Sequence, residues 1–250
     1  MRWSVGLLLI SAVSCVRLSP YPPPTVAWHR LYQPLEDPDA VLWVAAAYEQ
    51  VIAEWGTPAH VWSDWMLLRS EKRSDVVYQV KEGFSLTEII DEENYRAAIY
   101  IGEEPSHPAY PLLLAHEAAH LFNPYVTDWY MEGAATLFAI EFCASRGVST
   151  AVWEEVFKKN KNDPYANAYQ LMRELKSAFP DAYAQLLHTT ERIHKQACWQ
   201  RIDIDRWLDQ RSESDRARAL TIIHAYADQL QKQNDGAVVF TTPKLLYEMR

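Results

Sequence analysis

The sequence predicts an α+β fold: a small mixed α/β N-terminal lobe over residues 37–124, then an all-α C-terminal lobe over residues 125–250. Three observations support this prediction. Segments typical of strands lie before residue 103, an apolar helical segment follows, and helical patterns then continue to about residue 233. With 250 residues, of which 49% are hydrophobic and 23% charged, the chain suits one globular domain with two lobes.

The N-terminal lobe is predicted to begin with a helix over residues 40–55, which Gly56 and the following Thr-Pro end. Three segments are predicted strands: 61–68, 76–80 and 96–102. A charged turn over 69–75 joins the first two strands. The S-L-T-E sequence at 85–88 has the pattern of a capping box, so we expect a short helix that runs to about residue 92.

The C-terminal lobe is predicted to be helical, with breaks at Gly147, Pro164 and Pro180. Its predicted helices cover 128–146, 150–160, 165–178, 181–196, 204–210 and 215–233. Residues 238–240 are apolar, and they form either a short strand or a tail that packs on the domain.

The most informative motif is H-E-A-A-H at residues 116–120, in a predicted helix that begins near residue 109 and ends at Asn-Pro. Side chains four residues apart lie on nearly the same side of an α-helix, so His116 and His120 can bind one metal ion. Glu117 stands where a general base takes a proton from metal-bound water. The alternative is an amphipathic helix with two surface histidines. The apolar flanks favour burial, and buried polar groups need partners.

A candidate third ligand, Glu132, follows in the sequence D-W-Y-M-E-G-A-A. Asp128, or Thr127 before it, can cap a new helix, which places Glu132 in the second turn and facing the first helix. Gly133 and the alanines after it are small enough to let the two helix backbones approach closely. Three protein ligands and one open position are the arrangement of a hydrolytic zinc site. A solvated helix glutamate is the alternative for Glu132.

H-E-x-x-H followed by W-x-x-E-G-x-A resembles the gluzincin branch of the zincin metallopeptidases, and more narrowly its small peptidase-MA-like domains. The resemblance covers about residues 95–190 and implies a zincin-like fold that hydrolyses peptide or protein substrates. It implies one Zn²⁺ per chain, held by His116, His120 and Glu132, with Glu117 as the general base. In zincins the strand before the motif helix is often the sheet edge that pairs with extended substrate.

Tyr165 and Tyr169 are further candidates, because the Y-A-N-A-Y segment resembles the aromatic helix of this family. A tyrosine from a downstream helix often stabilises the oxyanion in gluzincins, and the resemblance gives either tyrosine that role. Ala168 stands where the family pattern usually has serine. Core packing is the alternative for each tyrosine. Among the remaining histidines, which lack ligand spacing, only His188 is a minor candidate for a donor to the substrate.

Residues 1–15 have the pattern of a targeting segment, in which a short apolar stretch and small residues lead to Cys15. The pattern resembles a bacterial lipoprotein signal cleaved before Cys15, although Ala12 replaces the preferred leucine. An ordinary secretory peptide cut nearby is the alternative. We expect an exported protein of the bacterial cell envelope, periplasmic or outer-membrane, whose lipidated N-terminus is its membrane contact. The Pro-rich residues 16–36 predict an extended tether.

The charge and the cysteines constrain the partners and the compartment. A net charge of −9 without a long basic run excludes the electrostatic pattern of nucleic-acid binding. If Cys15 is lipidated, Cys143 and Cys198 form either a disulfide or two separate buried thiols. The sequence therefore predicts a zinc metallopeptidase. The alternative is an inactive zincin-like envelope protein that serves as a binding or assembly factor.

Overall fold

The computed structural model describes residues 28–62, 64–72, 84–160, 163–193, 199–233 and 238–248. These residues form a mixed α/β fold with a small sheet and several helices. The predicted targeting segment, most of the tether, the strand predicted at 76–80 and Cys198 lie outside the described residues. Among the helices that are described, none combines the length and the apolar character needed to cross a membrane.

The N-terminal lobe starts with a 3₁₀ helix, Trp28–Leu31, and strand β1, Tyr32–Pro34. The end of the predicted tether is therefore part of the sheet. Helix α1, Pro38–Trp55, follows, and it confirms the first predicted helix with a start two residues earlier. The Asp37 carboxylate caps α1, since it accepts hydrogen bonds from the N–H groups of the next turn, and Gly56 ends the helix at a φ of 87°.

Within the described ranges, four strands form the main sheet, in the order β1-β2-β4-β3. The three further strands are β2 (Asp64–Lys72), β3 (Leu86–Asp91) and β4 (Arg96–Ile101). β4 confirms the strand predicted at 96–102. The predicted turn at 69–75 is wrong for residues 69–72, because β2 continues to Lys72. Its pairing with β4 extends to Arg69 opposite Ile101, and its pairing with β1 places Lys72 opposite Tyr32.

The helix predicted from the capping box is also wrong, because residues 86–91 form β3. This strand pairs antiparallel with β4, with Leu86 opposite Tyr100 and Ile89 opposite Ala97. The chain reverses directly from β3 into β4, and β4 pairs in parallel with β2. The strand before the motif helix is therefore internal, and the expectation that it forms the sheet edge is wrong. Among the described strands, β3 lies at that edge.

Both faces of the main sheet contain buried residues, and successive side chains along each strand point to opposite faces. One face packs on the helices through Leu67, Ala97, Ile99 and Ile101. The opposite face has its own small cluster: Tyr32, Leu68, Ala98 and Tyr100. Thr87 and Glu88 are neighbours on β3, so their side chains point to opposite faces. Thr87 contacts the helix side, where the candidate site lies.

Helices make up most of the remaining chain. They are α2 (Tyr110–His120), α3 (Trp129–Ser145), α4 (Ala151–Lys159), α5 (Pro164–Ala178), α6 (Pro180–His188), α7 (Ile204–Asp209), α8 (Glu213–Gln231) and α9 (Lys244–Glu248). The predicted helices are confirmed to within a few residues, except that α6 ends at His188. A two-stranded sheet follows, in which β5, Thr190–Arg192, pairs with β6, Gln200–Ile202. The prediction of an all-α C-terminal lobe is therefore wrong in this segment.

Helix α3 lies at the centre of the fold, packed against both α2 and α5. A Cβ atom on Gly133 would lie 2.2 Å from the carbonyl oxygen of Ala168 in α5. The absence of a side chain at Gly133 therefore allows α3 to approach α5, and not α2 as predicted from the sequence. Cys143 in α3 is a buried free thiol, and burial raises its pKa to about 12. Cys143 therefore fits the separate-thiol alternative, while the state of Cys198, outside the described residues, stays a prediction.

Candidate metal centre

The two motif histidines occupy the last turn of α2. The helix ends at His120 because the N–H groups of Leu121 and Phe122 donate to carbonyls three residues earlier, at 3.2 and 3.0 Å. This closing turn leaves both imidazoles on the side of α2 that faces α3. Their Nε2 atoms lie 3.1 Å apart. A metal ion that binds both nitrogens would let both imidazoles be neutral at this separation, because no proton would then be needed between them.

Glu132 completes the cluster from the first turn of α3, and the predicted position in the second turn is wrong by one turn. Its Oε2 atom lies 3.3 Å from His116 Nε2 and 3.6 Å from His120 Nε2. A tetrahedron with ligands about 2.05 Å from a central ion has edges of about 3.3 Å. The three observed separations are close to that edge length. His116, His120 and Glu132 therefore form a buried group that could hold a metal ion.

The charges of this cluster are strongly coupled. Burial raises the pKa of Glu132, but the neighbouring His120 and His116 outweigh this effect and hold that pKa below its usual value. Burial lowers the pKa of His120, and the carboxylate of Glu132 outweighs it and raises that pKa to about 9. Within the described residues, Glu132 Oε2 is buried and accepts no hydrogen bond of ordinary geometry. A cation between the three side chains would satisfy this oxygen.

Asp128 fixes the start of α3 and so the position of Glu132. Its carboxylate accepts hydrogen bonds from Met131 N–H at 2.8 Å and from Ile202 N–H in β6. Burial raises the pKa of Asp128 to about 6, and these backbone donors act in the opposite direction. Of the two caps considered from the sequence, the structure has Asp128. Val239 is bridged to the same residue, so the apolar 238–240 segment packs against the start of α3.

Thr136, which was not predicted from the sequence, orients His116. Its hydroxyl donates to the carbonyl oxygen of Glu132 at 2.8 Å, and Oγ1 lies 3.3 Å from His116 Nδ1. Because the hydroxyl hydrogen is used by the carbonyl, Oγ1 accepts from Nδ1–H, which leaves the lone pair of Nε2 directed at the cluster. Helical spacing could have identified Thr136, since it lies one turn after Glu132 and so on the same side of α3.

Glu117 lies next to the cluster but is not a member of it. Its carboxyl group is buried, with 3% of the residue exposed, and Oε2 accepts a hydrogen bond from the Thr87 hydroxyl at 2.9 Å. Burial raises the pKa of Glu117, while the neighbouring His116 and His120 oppose the increase. Thr87 was also missed from the sequence. No local pattern indicates it, because β3 and α2 are separate elements that meet only in the fold.

The two candidate tyrosines of α5 have different surroundings. The Tyr165 ring lies 6.5 Å from the His116 ring and packs edge-on against Trp129 at 5.3 Å. Tyr169 instead packs against Phe157 at 5.5 Å, with the Arg173 guanidinium over its ring. The structure therefore places Tyr165 beside the candidate metal centre, and Tyr169 in a contact with α4.

His188 has a structural contact rather than an open donor position. Its Nε2 atom lies 2.7 Å from the carbonyl oxygen of Trp55, and its ring packs edge-on against Phe122. The imidazole therefore joins the end of α6 to the end of α1. Among the described residues, the cluster of His116, His120 and Glu132 is the one group of histidine, cysteine and carboxylate side chains with metal-ligand spacing.

Comparisons with known proteins do not add to this description, since no family model, curated protein or solved structure matches the chain. The chemistry of the site is therefore inferred from its own geometry.

Proposed function

We propose that this chain is a zinc-dependent peptidase of the gluzincin type, with a zincin-like fold. The observation that supports this function best is the convergence of His116, His120 and Glu132 on one point, with the Glu117 carboxyl group beside them. Two imidazole nitrogens and one carboxylate oxygen at tetrahedral spacing are a donor set that suits zinc. Three protein ligands leave the fourth position for water, as in hydrolytic sites.

In the proposed mechanism, each side chain has one role. His116, His120 and Glu132 would hold a zinc ion, which would supply the Lewis acidity for activating water and polarising a carbonyl group. Glu117 accepts the proton of the attacking water and transfers it to the leaving amine nitrogen. Thr136 keeps His116 in the tautomer whose Nε2 can bind the metal. Tyr165, which lies near His116, is the better placed of the two tyrosines to act on the substrate oxygen.

The proposed substrate is a peptide or protein segment in extended conformation. β3 is the strand next to Glu117, and it is at the edge of the described sheet. A peptide that pairs with such an edge gains sequence-tolerant main-chain hydrogen bonds beside the catalytic groups. The proposed location in the cell envelope, with lipid on Cys15, depends on the N-terminal pattern alone. Mass spectrometry of the mature N-terminus tests it, and an unmodified Cys15 would contradict lipidation.

A second candidate function is that of an inactive envelope protein that binds or assembles a partner. The burial of the cluster favours it, since Glu117, Glu132 and His116 are 3%, 5% and 8% exposed. A substrate needs access to the fourth position of the metal. The presence of all four side chains that hydrolysis needs favours the enzyme over this alternative.

The test is peptide turnover by the wild type and by Glu117→Gln at equal zinc occupancy. Glu117→Gln should retain the metal and the fold, and lose about 10²–10⁴-fold in rate, because the proton acceptor is removed. Glu88→Gln is the matched control: it makes the same change at a half-buried glutamate whose Oε2 atom is buried, on the opposite face of β3, and it should retain activity.

Two outcomes would contradict the proposed function. Equal turnover by Glu117→Gln and the wild type would exclude the proposed role of Glu117. A zinc-loaded wild type that cleaves no member of a diverse peptide library, while both proteins rescue a deletion phenotype, would favour the binding factor.

A further inference from the structure

One side chain of the sheet contacts the motif helix at Glu117. Thr87 Oγ1 lies 2.8 Å from the main-chain carbonyl oxygen of Glu117 and 2.9 Å from its Oε2 atom. Both oxygens are acceptors, and a threonine hydroxyl has one hydrogen. The single hydroxyl hydrogen is therefore shared between two acceptors of the same residue, one in the backbone and one in the side chain.

The backbone contact satisfies a carbonyl at the end of α2. The N–H of Leu121 would be the usual partner of the Glu117 carbonyl, but it donates to Ala118 at 3.2 Å. The tightened last turn thus leaves the Glu117 carbonyl without that bond, as helix ends commonly do. Thr87 supplies a donor in its place, which fixes the last turn of α2 against β3.

The side-chain contact restricts the carboxyl group itself. A glutamate side chain has three rotatable bonds, and a general base needs its oxygen within hydrogen-bond distance of the proton that it accepts. Because Glu117 is buried and its Oε2 is held at 2.9 Å from Thr87, one orientation of the carboxyl group is selected. Thr87 belongs to the strand at the sheet edge, so the orientation of Glu117 is set from that strand.

We infer that Thr87 is a positioning residue, which holds the Glu117 carboxyl group in the orientation needed for proton transfer. The Thr87 side chain would then align the general base with a peptide that is paired with β3. The catalytic consequence rests on the proposed function, whereas the contact between the two side chains can be tested without turnover.

The contact is tested by a double-mutant cycle of Thr87→Val and Glu117→Ala in the full chain, at equal zinc occupancy. Valine keeps the shape of threonine and suits a strand, but has no hydroxyl. In the wild-type background, Thr87→Val should raise the unfolding equilibrium constant by about tenfold, as expected for a hydrogen bond to a carboxylate. In the Glu117→Ala background, where only the carbonyl contact remains, the increase should be clearly smaller. Equal increases in both backgrounds would overturn the inference.

Turnover provides the second measurement. Thr87→Val should lower kcat by about tenfold or more with little change in KM, since a misoriented base affects the chemical step. Thr87→Ser keeps the hydroxyl and should restore most of kcat. A rise in KM with unchanged kcat, or no rescue by serine, would overturn the positioning role. A wild type without turnover would contradict the proposed peptidase, and the double-mutant cycle would still decide the contact.

Discussion

Glu117 of α2 is buried and Glu88 of β3 is half-buried; their carboxyl groups lie on opposite sides of β3, and their surroundings differ. Glu117 accepts a hydrogen bond from Thr87 and has two imidazoles as neighbours. Glu88 Oε2 is buried without a hydrogen-bond partner among the described residues, and burial raises the pKa of Glu88 to about 8. Burial raises the pKa of both carboxyl groups. The partners, rather than the burial, therefore distinguish the carboxyl group that we assign to catalysis.

The largest expected difference is in zinc binding, between a substitution on the helix side of β3 and one on its opposite side. His116→Ala should weaken zinc binding by on the order of 5 kcal/mol, several thousandfold, because it removes one of three protein ligands from a site of the strength typical for zinc. Glu88→Gln should leave zinc binding unchanged. Competition with a chelator of known affinity measures both variants. Equal affinities for His116→Ala and the wild type would show that the metal binds elsewhere.

The second difference concerns the pH dependence of stability. The folded-state pKa of Glu88, about 8, is above its ordinary value of 4.5. Below pH 4.5 the group is protonated in both states. As the pH rises towards 8, only the unfolded state releases the proton, so stability is lost. The loss should reach on the order of 5 kcal/mol, since the two pKa values differ by about 3.5 units at 1.36 kcal/mol per unit.

Glu88→Gln should abolish this loss, because glutamine does not titrate. Denaturant unfolding of both proteins at a series of pH values between 4 and 9, at equal zinc occupancy, measures the difference. Glu92→Gln is the control, since Glu92 is exposed in the turn that follows β3. A stability difference between Glu88→Gln and the wild type that does not vary with pH would contradict the elevated pKa.

The smallest predicted effect concerns the orientation of a ligand. Thr136→Val removes the acceptor of His116 Nδ1–H and should weaken zinc binding by about 10–100-fold, the usual cost of losing a hydrogen bond to a metal ligand. Thr136→Ser retains the oxygen and should bind zinc nearly as well as the wild type. The same chelator competition applies. If valine and serine give equal affinities, the hydroxyl does not orient the imidazole.

The parts of this molecule that were predictable from sequence depend on local spacing. His116 and His120 are one helical turn apart, and the capping residue Asp128 directly precedes the helix that contains Glu132. These relations are set within a few residues, so the helical period was enough to find them. The approach of the two helices was inferred from the helix cap and from the small residues that follow Glu132, and the structure brings the three candidate ligand atoms together.

The sheet was harder to predict because its pairing is not local. The S-L-T-E segment satisfies the capping-box pattern, yet residues 86–91 form a strand because β4 provides an antiparallel partner. Thr87 and Glu117 are 30 positions apart, so no window along the chain relates them. Thr136 was within the reach of sequence analysis, since it follows Glu132 by four residues on the same helix.

The start of α3 is completed by residues far along the chain. The Asp128 carboxylate accepts a hydrogen bond from Ile202, 74 positions later, and Trp129 N–H donates to the Val239 carbonyl at 3.0 Å. During synthesis, α2 and its two histidines therefore exist well before the contacts that fix Glu132. Loop closure over such separations is slow compared with helix formation. We expect a nascent chain to form a two-histidine half-site first, and to gain full zinc affinity only as residues near 239 join the fold.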